Sequence, residues 1–336
     1  MKVADMHCDT IAELYEDHKN GGTASIFENH LHIDLQKMQK GDYLLQNFAM
    51  FTQLKNTERP FEHAMKLIDT FYTELEPYKD WIGVVKSWKE IEENRAAGKM
   101  SALLTIEEGG VCQGELSFLR DFYRLGVRMM TLTWNHQNEL GYPNRMVKQE
   151  EGCWNRPPRC IPDTEHGLTE KGIEFVREME RIGMIIDISH LNDAGIWDVF
   201  RYTKKPFVAS HSNARGLAGH PRNLTDEMIR ELAERGGVAG INFCALFLRD
   251  EEEGELSPVH SLCSDMVAHM KHMKQIGGIG CIGLGSDFDG ITSIVEMKDC
   301  SGMQLLADEM SREGFTDGEI EAVFSGNVLR VYRELL

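Results

Sequence analysis

Residues 184–212 read MIIDISHLNDAGIWDVFRYTKKPFVASHS. Two apolar runs, 184–189 and 207–211, are separated by a longer stretch, and each is followed or closed by the same pair, Ser189-His190 and Ser210-His211. Two parallel strands need a crossover of a dozen or more residues, usually a helix, so this spacing reads as a strand–helix–strand unit. The pattern extends in both directions. Candidate strands fall at 2–7, 44–51, 102–107, 128–134, 184–189, 207–211, 237–244 and 282–288, with amphipathic stretches between them. Eight such units favour closure into a (β/α)8 TIM-type barrel over an open doubly wound sheet. A chain of 336 residues suits one barrel domain, 1–336, with inserted loops.

The helices are read from periodicity and caps. Residues 61–75 place Phe61, Met65, Ile68, Phe71, Tyr72 and Leu75 on one broad face. Residues 169–182 stop before Gly183, Thr225 is an N-cap for the next helix, and 257–275 is stopped by Gly277-Gly278. The longest irregular stretch, 135–166, has the composition of a lid or pocket wall, and 249–255 reads as an acidic surface loop.

Bulk properties exclude several classes. A formal net charge of −18 disfavours a nucleic-acid partner. No apolar run approaches the ~20 residues of a membrane span, and the first residues lack signal-peptide character. The 8 cysteines form no C-x-x-C pair; Cys153 and Cys160 could bridge, but free thiols and a cytoplasmic location are the expectation.

Chemistry-bearing residues sit at strand ends. The first strand leads into Asp5-Met6-His7-Cys8-Asp9, where alternation would point His7 and Asp9 the same way, as a zinc pair requires. The third leads into Glu107-Glu108-Gly109-Gly110, the fifth into His190, the sixth into His211, and the eighth into Asp287-Phe288-Asp289-Gly290. Each has a bland reading alone: a packed histidine, a solvated glutamate. In a barrel, however, His7, Asp9, Glu108, His190, His211 and Asp287 would converge on one mouth, where such folds keep their active sites.

These segments, with Leu132-Thr133, Arg222-Asn223 and the C-terminal 326–331, resemble the membrane (renal) dipeptidase family, zinc dipeptidases of the amidohydrolase superfamily. The resemblance covers nearly the whole chain. It implies two zinc ions, with His7 and Asp9 on one, His190 and His211 on the other, and Glu108 bridging both. It places Asp287 beside the metal-bound water and Arg222 on the substrate carboxylate, and it suggests a homodimer. Two positions depart from the pattern. The histidine that follows Leu-Thr in family members is Trp134 here; His136 is read as taking over its substrate contact, with loop packing as the other reading. The seventh strand has Asn242-Phe243-Cys244, with no tyrosine to face the pocket.

The expected reaction is hydrolysis of a small dipeptide, including those with a C-terminal D-residue, by a hydroxide bridging two zincs. Asp287 would move the proton and His136 would help at the oxyanion. Arg222 would fix a free carboxylate; the alternative is pairing with a surface acid. Other amidohydrolases acting on a different small amide or a β-lactam are a second reading. Deaminase and phosphotriesterase-like members, however, commonly carry His-x-His on the first strand, and many bridge their metals with a lysine on the fourth; this chain has His-x-Asp and no lysine in 129–134. A non-catalytic metal-binding protein is a third.

Overall fold

The computed structural model describes residues 1–146, 160–250 and 260–336. Among them, nine strands form one sheet: β1 Val3–Asp5, β2 Tyr43–Phe51, β3 Ile82–Val85, β4 Met100–Glu107, β5 Met129–Thr131, β6 Ile185–Asp187, β7 Val208–Ala209, β8 Val238–Ile241 and β9 Ile282–Leu284. Every pairing is parallel, and eight strands close a ring in the order β1, β2, β4, β5, β6, β7, β8, β9 and back to β1 through Asp5 opposite Leu284. This is the expected TIM-type barrel.

β3 stands outside the ring. It pairs with the first half of β4 (Ile82 opposite Met100), while β5 takes the second half (Thr105 opposite Met129). The sequence reading lacked this strand. Its Ile-Gly-Val-Val run carries a glycine, and the two middle residues are only half-buried, so neither alternation nor a long apolar run marks it.

The expected strands overrun the observed ones at their C-terminal ends. Residues 132–134, 188–189, 210–211, 242–244 and 285–287 leave the ladder to build turns, and Phe288 keeps only an isolated bridge to Cys8. Apolar members such as Leu132, Ile188 and Phe243 stay buried there, which made them look like strand continuations.

Alternation sorts the core into two layers. Ala102, Leu104 and Ile106 face the helices, while Leu103 of β4 lies inside the barrel with Ala4, Leu45, Met129, Ile185, Val208 and Val238. Val328, Val331 and Tyr332 of the last helix, Asn327–Leu335, close the barrel from below. Asn47 donates to the Tyr332 hydroxyl at 2.6 Å in that plug.

The helices follow their caps. Pro60 opens Pro60–Leu75, which buries Ala64, Leu67, Ile68, Phe71 and Leu75, whereas Phe61, Met65 and Tyr72 of the expected face are half-buried. Thr169 caps Glu170–Ile182, which ends at Gly183 with φ 83°, and Thr225 caps Asp226–Glu234. The helix expected from residue 257 begins at Cys263, after His260-Ser261 pairs with Ile294-Val295. The expected 153–160 bridge, most of the 249–255 loop and the middle of the 135–166 stretch lie outside the described residues. No described helix is long and apolar enough to cross a membrane.

Candidate metal centre

The turns that follow β1, β4, β6, β7 and β9 meet at one mouth. Four side-chain-bearing positions there have left-handed backbone: Glu108 (φ 91°), His190 (67°), Asp287 (60°) and Asp289 (69°). Such conformations are uncommon outside glycine and gather at functional sites.

β1 ends at Asp5, so His7 and Asp9 are not aligned by strand alternation as expected. His7 sits in the turn, and Asp9 is the N-cap residue of helix Thr10–Lys19. They nonetheless face each other, His7 Nε2 to Asp9 Oδ2 at 3.5 Å.

The carboxylate between the histidines is Glu107, not Glu108. Glu107 Oε2 lies 3.3 Å from His7 Nε2, and Oε1 lies 3.0 Å from His190 Nε2 and 3.6 Å from His211 Nε2. Two donor groups, His7–Asp9–Glu107 and Glu107–His190–His211, therefore share Glu107, with the candidate ligand atoms of each group within 4.8 Å of one another. Glu108 turns the other way. It accepts from the amides of Gly110 (2.9 Å) and Trp134 (3.0 Å) and from Asn138 Nδ2 (2.5 Å). It thus holds the loop after β5. The physical reason is that β4 ends at Glu107, and the chain reverses at Glu108. Alternation held the answer: Leu103 and Glu107 share the barrel-facing parity.

Asp287 joins the cluster, with Oδ1 3.8 Å from His7 Nε2. Asn242 Nδ2 donates to its Oδ2 at 2.9 Å, so the seventh-strand position that lacks a tyrosine hydroxyl supplies an amide just before it.

Two clamps that the sequence reading missed hold these turns. Asp5 accepts from the Ser286 amide (2.9 Å) and hydroxyl (2.6 Å), tying β1 to the turn that carries Asp287. Asp187 accepts from the Ser210 amide (2.8 Å) and hydroxyl (2.6 Å) and from the Thr131 hydroxyl (2.7 Å). Ser210 Oγ in turn meets His211 Nδ1 at 2.7 Å, and Asn135 Oδ1 meets His190 Nδ1 at 3.0 Å, so the Nε2 atoms of both histidines face Glu107. The clamping pairs, Asp5 with Ser286 and Asp187 with Ser210, are distant in sequence, so no local spacing signals them.

Charges at the mouth are strongly coupled. Burial pushes Asp9 up to about 6, with Glu107 adding to it, and burial with Asp9 and Glu107 pushes Asp287 up to about 7 against the pull of His7. Burial works against Glu107 ionising, but His7 and His190 hold it well below the usual carboxylate range. Burial also opposes a charged His7, yet Glu107 and Asp9 raise it well above its ordinary value. Burial and then Arg222 lower His190 to about 4, and burial, with His7 adding to it, holds His211 well below its ordinary value. Burial lifts Glu108 to about 7.

Both His7 ring nitrogens and Asp9 Oδ1 are buried without a hydrogen-bond partner among the described residues. Such atoms cost free energy unless a cation meets them. Imidazole and carboxylate donors in two groups sharing one carboxylate fit divalent, borderline-soft metal ions.

Arg222 is 7 % exposed. Its Nη1 reaches Ser212 Oγ at 3.4 Å, and its guanidinium lies 5.4 Å over the Phe247 ring. Nε and Nη2 have no partner among the described residues, so it is not the surface ion pair that was the alternative reading. His136 is half-buried and packs edge-on against Trp134 (centroids 5.7 Å), and it is Trp134 that borders His190, at 6.0 Å.

Residues 1–335 match the membrane dipeptidase family, peptidase family M19. The chain belongs to that family. This metallodipeptidase is 31% identical over 323 residues to an uncharacterized dipeptidase of Schizosaccharomyces pombe, covering 92% of this chain and 74% of that one. It is 32% identical over 293 residues to dipeptidase verJ of Clonostachys rogersoniana, covering 87% and 68%. A crystal structure of dipeptidase AC, an M19 metallopeptidase, superposes with a TM-score of 0.86 at 26% identity, covering 100% and 98%. A Rhodobacter sphaeroides metallopeptidase, solved with a phosphinate mimic of the dipeptide L-Ala-D-Ala, shares the fold with a TM-score of 0.86 at 23% identity, covering 100% and 99%. The candidate metal cluster thus lies in an M19 hydrolase.

Proposed function

We propose that this M19 dipeptidase is a single barrel unit over residues 1–336 that uses two zinc ions to cleave dipeptides, including those with a C-terminal D-residue. The observation that carries the reading is Glu107, whose two oxygens face His7 on one side and His190 with His211 on the other. His7 and Asp9 would hold one ion, His190 and His211 the second, with Glu107 between them. When bound, such ions supply an acidified water and polarise the scissile carbonyl.

The chain's own residues do the rest. Asp287 lies beside this cluster and is held by Asn242, with a carboxyl pushed up to about 7 by burial. It takes a proton from the attacking water and delivers it to the leaving amine. Arg222 receives the substrate's terminal carboxylate on donors that lack a partner among the described residues. A carboxylate held about one residue from the scissile bond selects dipeptides over longer peptides. The dipeptide mimic bound by the Rhodobacter protein is consistent with the same substrate class. His136 packs edge-on against Trp134, which itself borders His190, and from that loop it would help at the oxyanion.

The test compares L,L and L,D dipeptides with the C-terminal amide and the matching tripeptide, on protein whose metal content is measured. The dipeptide is expected to be cleaved at least about tenfold faster than either, and Arg222→Ala to lose that discrimination mainly in kcat/KM. Equal cleavage of amide, tripeptide and dipeptide by the wild type would remove the carboxylate clamp.

A further inference from the structure

A second arginine grips the loop that carries Arg222. Arg215 Nη2 donates to the Pro221 carbonyl at 2.9 Å, and Arg215 Nε donates to the Asn223 carbonyl at 2.9 Å. These are the carbonyls of the residues on either side of Arg222. The main chain closes the same loop: the Arg215 amide donates to the Leu224 carbonyl and the Leu224 amide to the Asn213 carbonyl, both at 2.8 Å. Asn144 adds a second bond to the Pro221 carbonyl at 3.1 Å.

The outer end of the Arg215 guanidinium meets the helix that follows the His190 turn. Nη1 and Nη2 donate to Asp193 Oδ2 and Oδ1, each at 2.7 Å, and the two side chains are 14% and 9% exposed. Asp193 opens helix Asp193–Tyr202, three residues after His190. A paired fork of this kind, largely buried, fixes orientation as well as distance. A continuous polar path therefore runs from the His190 turn through Asp193 and Arg215 to the backbone on both sides of Arg222. Nε, Nη1 and Nη2 of Arg215 are all engaged, whereas Nε and Nη2 of Arg222 have no partner among the described residues. One arginine serves the scaffold and the other is left for a ligand.

We propose that Asp193 and Arg215 are positioning residues that hold the Arg222 guanidinium at a fixed reach from His190, and so keep the enzyme to substrates whose carboxylate lies one residue beyond the scissile bond. The inference rests on the dipeptidase reading above. Neither side chain touches the substrate; each acts through Arg222. Neither belongs to the two donor groups of the metal cluster, so metal content should survive a change at either position.

A double-mutant cycle on the metal-loaded protein tests this, with a dipeptide, its C-terminal amide and the matching tripeptide as substrates. Arg215→Lys keeps the charge but cannot hold both carbonyls and both carboxylate oxygens. It should lower kcat/KM for the dipeptide by roughly 10–100-fold, the scale of a misplacement of about 1 Å, while lowering the amide and tripeptide less and leaving metal content unchanged. In an Arg222→Ala background the same change should cost no more than about twofold, because a residue that acts through another is silent once that one is gone. Asp193→Asn keeps the grip on the carbonyls and weakens only the tether, so it should show the same pattern at smaller size, and it carries the test if Arg215→Lys folds poorly. An equal loss with and without Arg222, or an equal loss on all three substrates, would overturn the inference, since a merely structural residue behaves that way. Wild-type kinetics in both single variants would overturn it too. If Arg222→Ala alone leaves the preference for the dipeptide intact, the carboxylate clamp itself fails and takes this inference with it, a result distinct from an additive cycle around a working Arg222.

Discussion

Glu107 and Glu108 are consecutive and both buried, yet one faces the histidines and the other three donors of the loop after β5. That contrast gives a paired prediction. Glu107→Gln replaces a carboxylate oxygen that faces a histidine with an amide nitrogen, so metal content and kcat/KM should both collapse, the latter by 10²-fold or more on the order of a lost ligand. Glu108→Gln disturbs only what holds the loop, and should cost no more than about 10–100-fold in metal affinity, as for outer partners of ligands. Metal analysis of both proteins decides it: full metal in the first and loss in the second would restore Glu108 as the shared carboxylate. His7, Asp9, His190, His211 and Asp287 could be read from their residue types at strand ends. The choice between two adjacent glutamates could not be read from type. The Glu-Gly-Gly match pointed to the second, while strand parity pointed to the first. Asn135, Ser210, Ser286 and Asn242 act on neighbours distant in sequence, and no local pattern marks such partners.

At the scale of elements, the eight strands of the closed ring were legible because each buried run carries its own apolar signal, whereas the ninth, half-buried β3, and the strand ends were not. A residue such as Phe243 is fully buried whether or not it pairs, so burial extended the expected strands into the turns of the candidate metal centre. What fixes those turns is close approach. A side chain at Gly240 in β8, or at Gly285 just past β9, would strike the same atom, the carbonyl oxygen of Ser210. Ser210 precedes His211 and bonds its ring, and a Cβ at Gly285 would also come within 3.1 Å of the His211 Cα, so close approach at these glycines helps set the position of His211. Gly285→Ala should therefore destabilise the fold by roughly 1–3 kcal/mol, as overpacking does, and should also lower metal content by displacing His211. Denaturant melts with parallel metal analysis check this. An alanine variant as stable and as fully metallated as the wild type would show that the strands yield elsewhere.

For the whole molecule, the mouth couples folding to metal and to pH. Asp9 and Asp287 have folded pKa values raised to about 6 and about 7 by burial, so without cations the folded state holds protons that the unfolded chain has released above about pH 4. Their effect is to lower stability as pH rises toward those values. His190, lowered to about 4, and His211, lowered well below its ordinary value, act in the opposite sense: in the window below about pH 6.5 the unfolded chain binds more protons, and stability rises with pH there. The two contributions oppose one another over that window. Above about pH 6.5 the unfolded histidines are neutral and their contribution is complete. Asp287 is still losing its proton, and His7, raised well above its ordinary value, has yet to lose its own. Chelated protein should therefore lose stability as pH rises from about 6.5 to 8. Metal binding runs the other way, because ligands must be deprotonated and affinity grows with pH. At free metal about a thousandfold above Kd, linkage gives roughly 4 kcal/mol, or a Tm difference of roughly 5–10 °C for a domain of this size. Melting curves with saturating zinc and with chelator, at pH 6.5, 7.25 and 8, should show that difference widening with pH. A gap that is constant or narrows would mean that Asp287 and His7 do not give up protons when the site fills, and the cluster would no longer account for the metal.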